Sequence, residues 1–281
     1  MKIGVTGATG QLGRIVIEKL KVKIEADSIV ALVRNPEKAA DLGVEARIFD
    51  YTKPENLVVS LMGIDKLLLI SGNEIGQRLP QHKAVIEAAK QAGIKHIIYT
   101  SILHAATSPL DLAVEHLATE VAIKASGLVY TILRNGWYTE NYTGSAKGAV
   151  NAGAFIGCAG EGKISSAARV DYAEAAVVVL EGEGHENKTY ELAGDEAYTL
   201  SELAAEISHQ TGKTIPYNNL SETQYADILK SFGLPEGLAL RLADSDTGAS
   251  KGGLYDDSGF LSSFIGRSTT SLAKVLVGAL N

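Results

Sequence analysis

Apolar positions in the first half of the chain fall in short β-branched runs, separated by stretches with a helical period. That alternation is the pattern of parallel strands buried by crossover helices. Strands are expected over residues 2–6, 28–33, 45–49, 66–71, 95–100 and 128–133, and helices over 11–20, 56–62, 81–92 and 112–125. In the third of these helices Val85, Ile86 and Ala89 share a face, and Gly93 supplies the left-handed residue that ends it. After Asn135 the alternation weakens, residues 144–162 are rich in Gly and Ala, and a new helix begins near Asp171. Further helices are expected over 201–211, 222–232 and 270–277, with a short strand over 189–192. The expectation is an α/β fold: a doubly wound parallel sheet over residues 1–143 and a smaller C-terminal lobe over 144–281, interleaved with the sheet. There is no internal repeat, coiled coil or low-complexity linker.

Composition narrows the functional classes more than the fold. With 46% hydrophobic and 21% charged residues the 281-residue chain reads as globular. A net charge of −7 without a dense basic run argues against nucleic acid as a partner. Cys158 is the single cysteine, so an intrachain disulfide, a zinc ribbon and a CxxC redox pair are all excluded, and no metal site is expected. The start lacks signal-peptide features and no apolar run approaches the roughly 20 residues that span a bilayer, so a cytoplasmic protein is expected.

The glycines of Gly7-Ala-Thr-Gly10-Gln-Leu-Gly13 lie between the first strand and the first helix. In that context Gly7 permits a tight turn, Gly10 lets backbone N–H groups approach a pyrophosphate, and Gly13 allows close packing of helix on strand. The fold is therefore expected to be of the Rossmann, dinucleotide-binding type. The second strand ends in Ala31-Leu-Val-Arg34-Asn35-Pro36, placing a guanidinium where an NAD enzyme usually offers a carboxylate to the ribose. Because a guanidinium pairs with a 2′-phosphate, the expected cofactor is NADPH.

Several longer segments extend the reading. Val5-Thr-Gly-Ala-Thr-Gly-Gln-Leu-Gly13, Val33-Arg-Asn-Pro36, Lys66-Leu-Leu-Leu-Ile-Ser71, Leu133-Arg-Asn-Gly-Trp-Tyr138, Tyr190-Glu-Leu-Ala-Gly-Asp195 and Ala243-Asp-Ser-Asp-Thr-Gly-Ala-Ser-Lys-Gly-Gly253 together make the chain resemble the NmrA-like atypical short-chain dehydrogenase/reductases over essentially its whole length. The resemblance implies a quinone reductase that binds NADPH along the carboxyl ends of the strands, with a small quinone or similar aromatic acceptor against the nicotinamide. It implies that Gly7, Ala8, Thr9, Gly10, Gln11 and Leu12 hold the pyrophosphate, Arg34 the 2′-phosphate, and Ser71, Gly72 and Asn73 the nicotinamide ribose. It further implies that Gly136, Trp137, Tyr138, Thr139, Glu140 and Asn141 line the nicotinamide pocket, with Tyr172 contributing from the following helix. Gly72 and Asn73 depart from the serines of the resembled quinone reductases, and Trp137 and Tyr138 have packing as an alternative role. Two other readings share these residues: an NADP(H)-binding redox sensor without turnover, and a triphenylmethane-dye or azo reductase. A homo-oligomer is compatible with all of them.

Ordinary short-chain dehydrogenases carry Tyr-x-x-x-Lys on the helix after the fifth strand, where the ammonium lowers the phenol pKa. Here the corresponding slots hold His116 and Glu120. That disfavours alcohol chemistry and suits quinones, whose hydroquinone product takes its proton from water. No catalytic side chain is assigned. His116 supported by Glu120, Ser101 and His104 are candidate proton donors, against a helix-surface pair, a cap and a solvated loop residue as the structural alternatives.

Overall fold

The computed structural model describes residues 1–74 and 76–281. Seven strands form the principal sheet in the order β3-β2-β1-β4-β5-β6-β8. They are β1 (Ile3–Thr6), β2 (Ile29–Val33), β3 (Glu45–Ile48), β4 (Lys66–Leu69), β5 (His96–Ile102), β6 (Val129–Asn135) and β8 (Lys188–Leu192), with β7 (Phe155–Gly157) lying outside it. Pairing from β3 through β6 is parallel throughout. All residues of β1, β2 and β5 are buried, and β2, Ile-Val-Ala-Leu-Val, is accordingly a continuous apolar run rather than an alternating one. The order reverses between β1 and β4, so the expected doubly wound sheet is present with its switch point there.

The connecting helices of this half are α1 (Gln11–Lys21), α2 (Leu57–Leu61), α3 (Arg78–Ala92) and α4 (Leu112–Ala125). Leu57, Leu61, Val85, Ile86 and Ala89 join Leu32, Leu67, Leu69 and Tyr99 in one core cluster. α3 begins three residues before the expected Gln81, and Gly93 ends it at φ +75°, as its position foretold. Later come α5 (Thr139–Thr143), α6 (Ala146–Ala152), α7 (Arg169–Glu181), α8 (Leu200–Thr211), β9 (Tyr217–Asn219), α9 (Glu222–Ser231), α10 (Glu236–Ser250), α11 (Phe260–Ile265) and α12 (Leu272–Leu280).

The chain divides into two compact units, each built from separate stretches. The first comprises Met1–Ile102, Glu115–Asn135 and Arg169–Glu191, and therefore holds the sheet with α7. The second comprises Leu103–Val114, Gly136–Ala168 and Leu192–Asn281. Within it β7 pairs in parallel with β9, and Asp246 is buried, accepting hydrogen bonds from Tyr142 Oη (2.9 Å) and the Cys158 N–H (2.9 Å). Burial pushes the Asp246 carboxyl up to about 6. The helices α5, α6, α10 and α11, and the strands β7 and β9, were not among the sequence expectations; β7 and β9 have three residues each, too short for a period to register.

Candidate cofactor-binding site

The carboxyl ends of β1, β2 and β4 open into a cavity of about 650 Å³ within the first unit. Its walls include Gly7, Thr9 and Gly10 from the turn after β1, Arg34, Asn35 and Lys38 from the segment after β2, and Ser71, Gly72 and Asn73 from the segment after β4. Residues far apart in sequence and expected at one site thus share one cavity.

The turn is built by its glycines. Gly7 has φ +58°, and the Gly10 N–H donates to the Gly7 carbonyl (2.8 Å), closing the turn ahead of α1. A Cβ on Gly13 would stand 2.3 Å from the Gly7 oxygen and 2.7 Å from Ala8 Cα, so α1 is pressed against the turn as only glycine allows. The N-cap of α1 is Gly10, with no side-chain cap and no acidic residue in the first turn. Its N-terminal N–H groups therefore offer positive charge to an anion without internal competition.

Three cations border the same cavity. Arg34 is 71% exposed at its side chain, and its Nη1 lies 3.6 Å from Glu74 Oε1. Arg14 pairs with Asp41 (2.5 Å) and donates to the Lys38 carbonyl (3.0 Å). Arg14 and Lys38 were not singled out from the sequence, although their places were readable: Arg14 follows Gly13 in the first turn of α1 and Lys38 lies four residues beyond Arg34. Tyr51, Thr52, Glu74 and Gln81 also line the cavity, and no local sequence signal marks them.

The segment after β4 is pinned from below. The Ser71 N–H donates to Thr100 Oγ1 (2.9 Å), the Gly72 N–H to His82 Nε2 (3.0 Å), and Arg78 Nε to the Gly72 carbonyl (2.8 Å). With Nε2 accepting, the proton of His82 sits on Nδ1 and faces Thr119 Oγ1 (3.1 Å). Burial, aided by the Arg78 charge, drives the His82 pKa down to about 3, so the imidazole stays a neutral acceptor.

The residues expected at the nicotinamide end are not among those that line this cavity. Gly136, Trp137, Tyr138, Thr139, Glu140 and Asn141 belong to the second unit. There the Gly136 N–H donates to the Leu192 carbonyl (2.7 Å), the Ala167 N–H to the Trp137 carbonyl (3.1 Å), and Thr139 Oγ1 meets Ser166 Oγ (2.8 Å). Tyr172 is fully buried in α7. At the end of β6, Asn135 is buried with neither amide atom hydrogen-bonded.

His116 and Glu120 are neither exposed nor partners of one another. His116 Nδ1 lies 2.8 Å from Tyr99 Oη, and burial with the nearby Arg78 charge holds its pKa well below the usual imidazole value. Glu120, fully buried, accepts two hydrogen bonds from Arg134 (2.9 and 2.7 Å) and one from Ser101 (2.6 Å). Ser101 is thereby committed to a carboxylate, and His104, at φ +53°, lies 3.2 Å from the Tyr255 carbonyl in the second unit. Among the described residues no cluster of His, Cys, Asp or Glu is arranged to hold a metal ion, and no helix is long and apolar enough to cross a membrane.

A parallel sheet that presents an anion-accepting turn at its switch point is the architecture of dinucleotide-binding proteins. The chain belongs to the NAD(P)H-binding family, which it matches over residues 7–182. It is 59% identical over 275 residues to Quinone oxidoreductase 2 of Escherichia coli (strain K12), covering 97% of this chain and 96% of that one. The crystal structure of an NADPH-dependent quinone oxidoreductase from Escherichia coli complexed with NADPH superimposes with a TM-score of 0.97, at 58% identity over 99% of this chain and 100% of that chain. The triphenylmethane reductase of Citrobacter sp. complexed with NADP(H) gives a TM-score of 0.95 at 41% identity, over 99% of this chain and 100% of that chain.

Proposed function

We propose that this protein is an oxidoreductase that transfers hydride from NADPH to a small quinone. The observation that carries the cofactor is the Arg34 guanidinium beside the glycine turn, with Arg14 and Lys38 bordering the same cavity. The near full-length similarity to a quinone oxidoreductase supports the acceptor.

The cavity fits the cofactor on physical grounds: the glycine turn brings bare backbone N–H groups to its wall, and cations without a dedicated buried partner stand where a 2′-phosphate would be met. In this reading Gly7, Ala8, Thr9, Gly10, Gln11 and Leu12 hold the pyrophosphate and Arg34 the 2′-phosphate. Ser71 and Gly72, fixed by Thr100, His82 and Arg78, hold the nicotinamide ribose together with Asn73. Gly136, Trp137, Tyr138, Thr139, Glu140, Asn141 and Tyr172 serve the nicotinamide end, where the open amide of Asn135 suits a carboxamide. NADPH supplies the hydride, and hydride plus one proton converts the quinone to its hydroquinone. Because His116 is held neutral by burial and Glu120 is consumed by Arg134 and Ser101, neither is offered as the proton source, and the proton comes from water. The protein's contribution is positioning.

Mixing the protein with NADPH and 1,4-benzoquinone and following the cofactor's absorbance should show turnover above the uncatalysed rate, faster than with NADH. Arg34→Asp should weaken NADPH roughly 10- to 100-fold, the worth of a charge-assisted hydrogen bond replaced by repulsion, with little effect on NADH. No turnover, or an unchanged NADPH affinity in that variant, overturns the reading. Triphenylmethane dyes are the competing acceptors, given the similarity to the Citrobacter enzyme, and kcat/KM values decide between them.

A further inference from the structure

We propose that Glu74 sets the preference between NADPH and NADH, by competing with the 2′-phosphate for Arg34. The proposal rests on the cofactor reading above and concerns a residue that reading does not use.

Glu74 follows the Ser71-Gly72-Asn73 segment and lines the same cavity as Arg34. Its carboxylate has two neighbours of opposite character. Oε2 accepts a hydrogen bond from Gln81 Nε2 at 2.8 Å, anchoring the group to α3. Oε1 lies 3.6 Å from Arg34 Nη1, too long for a hydrogen bond but well inside ion-pair range. The carboxylate is therefore held from the α3 side and merely attracted from the β2 side. Both side chains remain substantially exposed, 71% for Arg34 and 44% for Glu74, so the pair separates at little cost.

An anion at that place has consequences that differ between the two cofactors. A 2′-phosphate reaching Arg34 brings close to two negative charges within a few ångströms of a carboxylate that Gln81 keeps in position. The guanidinium must then serve both anions, and their mutual repulsion subtracts from NADPH affinity. A free 2′-hydroxyl brings no charge, and it can donate a hydrogen bond to a carboxylate, the way NAD-preferring folds hold the ribose. Glu74 thus narrows the gap that Arg34 opens: it penalises NADPH and tolerates NADH. The dual arrangement is visible only in three dimensions, since Arg34 and Glu74 are 40 positions apart and come from the ends of different strands.

The test is calorimetric titration of NADPH and NADH into the wild type, Glu74→Gln, Arg34→Gln and the double variant, at low and at high salt. Gln keeps the shape of the side chain and a hydrogen bond to Gln81 while removing the charge, and equal thermal midpoints establish that the fold is intact. At low salt Glu74→Gln should bind NADPH about 3- to 10-fold more tightly, with NADH unchanged or weaker. The gain should shrink at high salt, where exposed charges are screened, and should be smaller but not zero when Arg34 is also replaced, since the contest for the guanidinium is then gone and only the direct repulsion between the two anions remains. If Arg34→Gln weakens NADPH but Glu74→Gln leaves it unchanged or weakens it, the competition is overturned and the cofactor reading stands. If Arg34→Gln leaves NADPH affinity untouched, the cofactor reading falls and this proposal with it.

Discussion

Gly13 shows how little latitude a single position has where a helix meets the backbone of a turn. The hydrogen it carries in place of a Cβ is what lets α1 lie against the Gly7-Ala8 peptide; the nearest atoms are backbone and cannot swing aside. Gly13→Ala should therefore push the helix off the turn, costing about 1–3 kcal/mol of stability in urea unfolding, as overpacked sites do. It should also weaken NADPH, since the N–H groups that face the pyrophosphate move with the helix. A variant of wild-type stability and affinity would show that the turn is not under this constraint. His116 carries the opposite lesson. Its position at the slot of a catalytic tyrosine suggested chemistry, yet its imidazole is buried against Tyr99 and kept neutral. Spacing located the residue, and its environment decides its role.

Among the elements, α4 and β6 are joined by an ion pair that neither pattern announces. Glu120 looked like part of an exposed i, i+4 pair, but its face of α4 turns inward, and Arg134 reaches it from β6 with two hydrogen bonds and also meets Glu191 of β8 at 2.7 Å. The two carboxylates raise the already high pKa of Arg134, the hydrogen bond to Glu120 being the largest cause. Glu120→Gln should cost about 2–4 kcal/mol, since a half-buried guanidinium loses its principal counter-charge although Glu191 remains. Quinone turnover by the folded fraction should persist, because Glu120 touches no cofactor-lining group. Helix ends were easier to anticipate. Thr199 with Glu202 and Ser221 with Gln224 form capping boxes, and the expected helix starts at 201 and 222 fall within one residue of the observed first residues, Leu200 and Glu222.

For the molecule as a whole, buried titratable groups in the two units oppose one another as pH changes. His82 and His116 of the first unit are held neutral, their pKa values lowered by burial. Below the ordinary histidine value of 6.5 the unfolded chain takes up protons that the folded chain refuses, so stability is lost as pH falls, by up to about 1.4 kcal/mol per pH unit for each. Asp246 of the second unit acts in reverse. Its carboxyl, raised from 3.8 to about 6, adds stability that is complete below 3.8 and is lost as pH rises through 6. Two histidines outweigh one aspartate, so the thermal midpoint should drop between pH 7 and pH 5. Asp246→Asn, which removes the opposing contribution, should make that drop steeper. A midpoint flat across this range, or a shallower drop in the variant, contradicts the assignment.

Local pattern alone determined the order of strands and helices through β6, the glycine turn and the guanidinium at position 34. These follow from short-range rules: buried parallel strands need continuous apolar runs, and a tight turn against a helix needs glycine. Tertiary structure decided what no neighbouring residue encodes. It brought Arg14, Lys38 and Glu74 to the cavity that Arg34 shares, buried His116 and Glu120 on a helix that read as half exposed, and returned α7 and most of β8 to the first unit after an excursion through the second. Charge and burial act through space between strand ends that are tens of residues apart. The chemistry of the site is therefore settled by packing, after the elements of the first half have been settled by sequence.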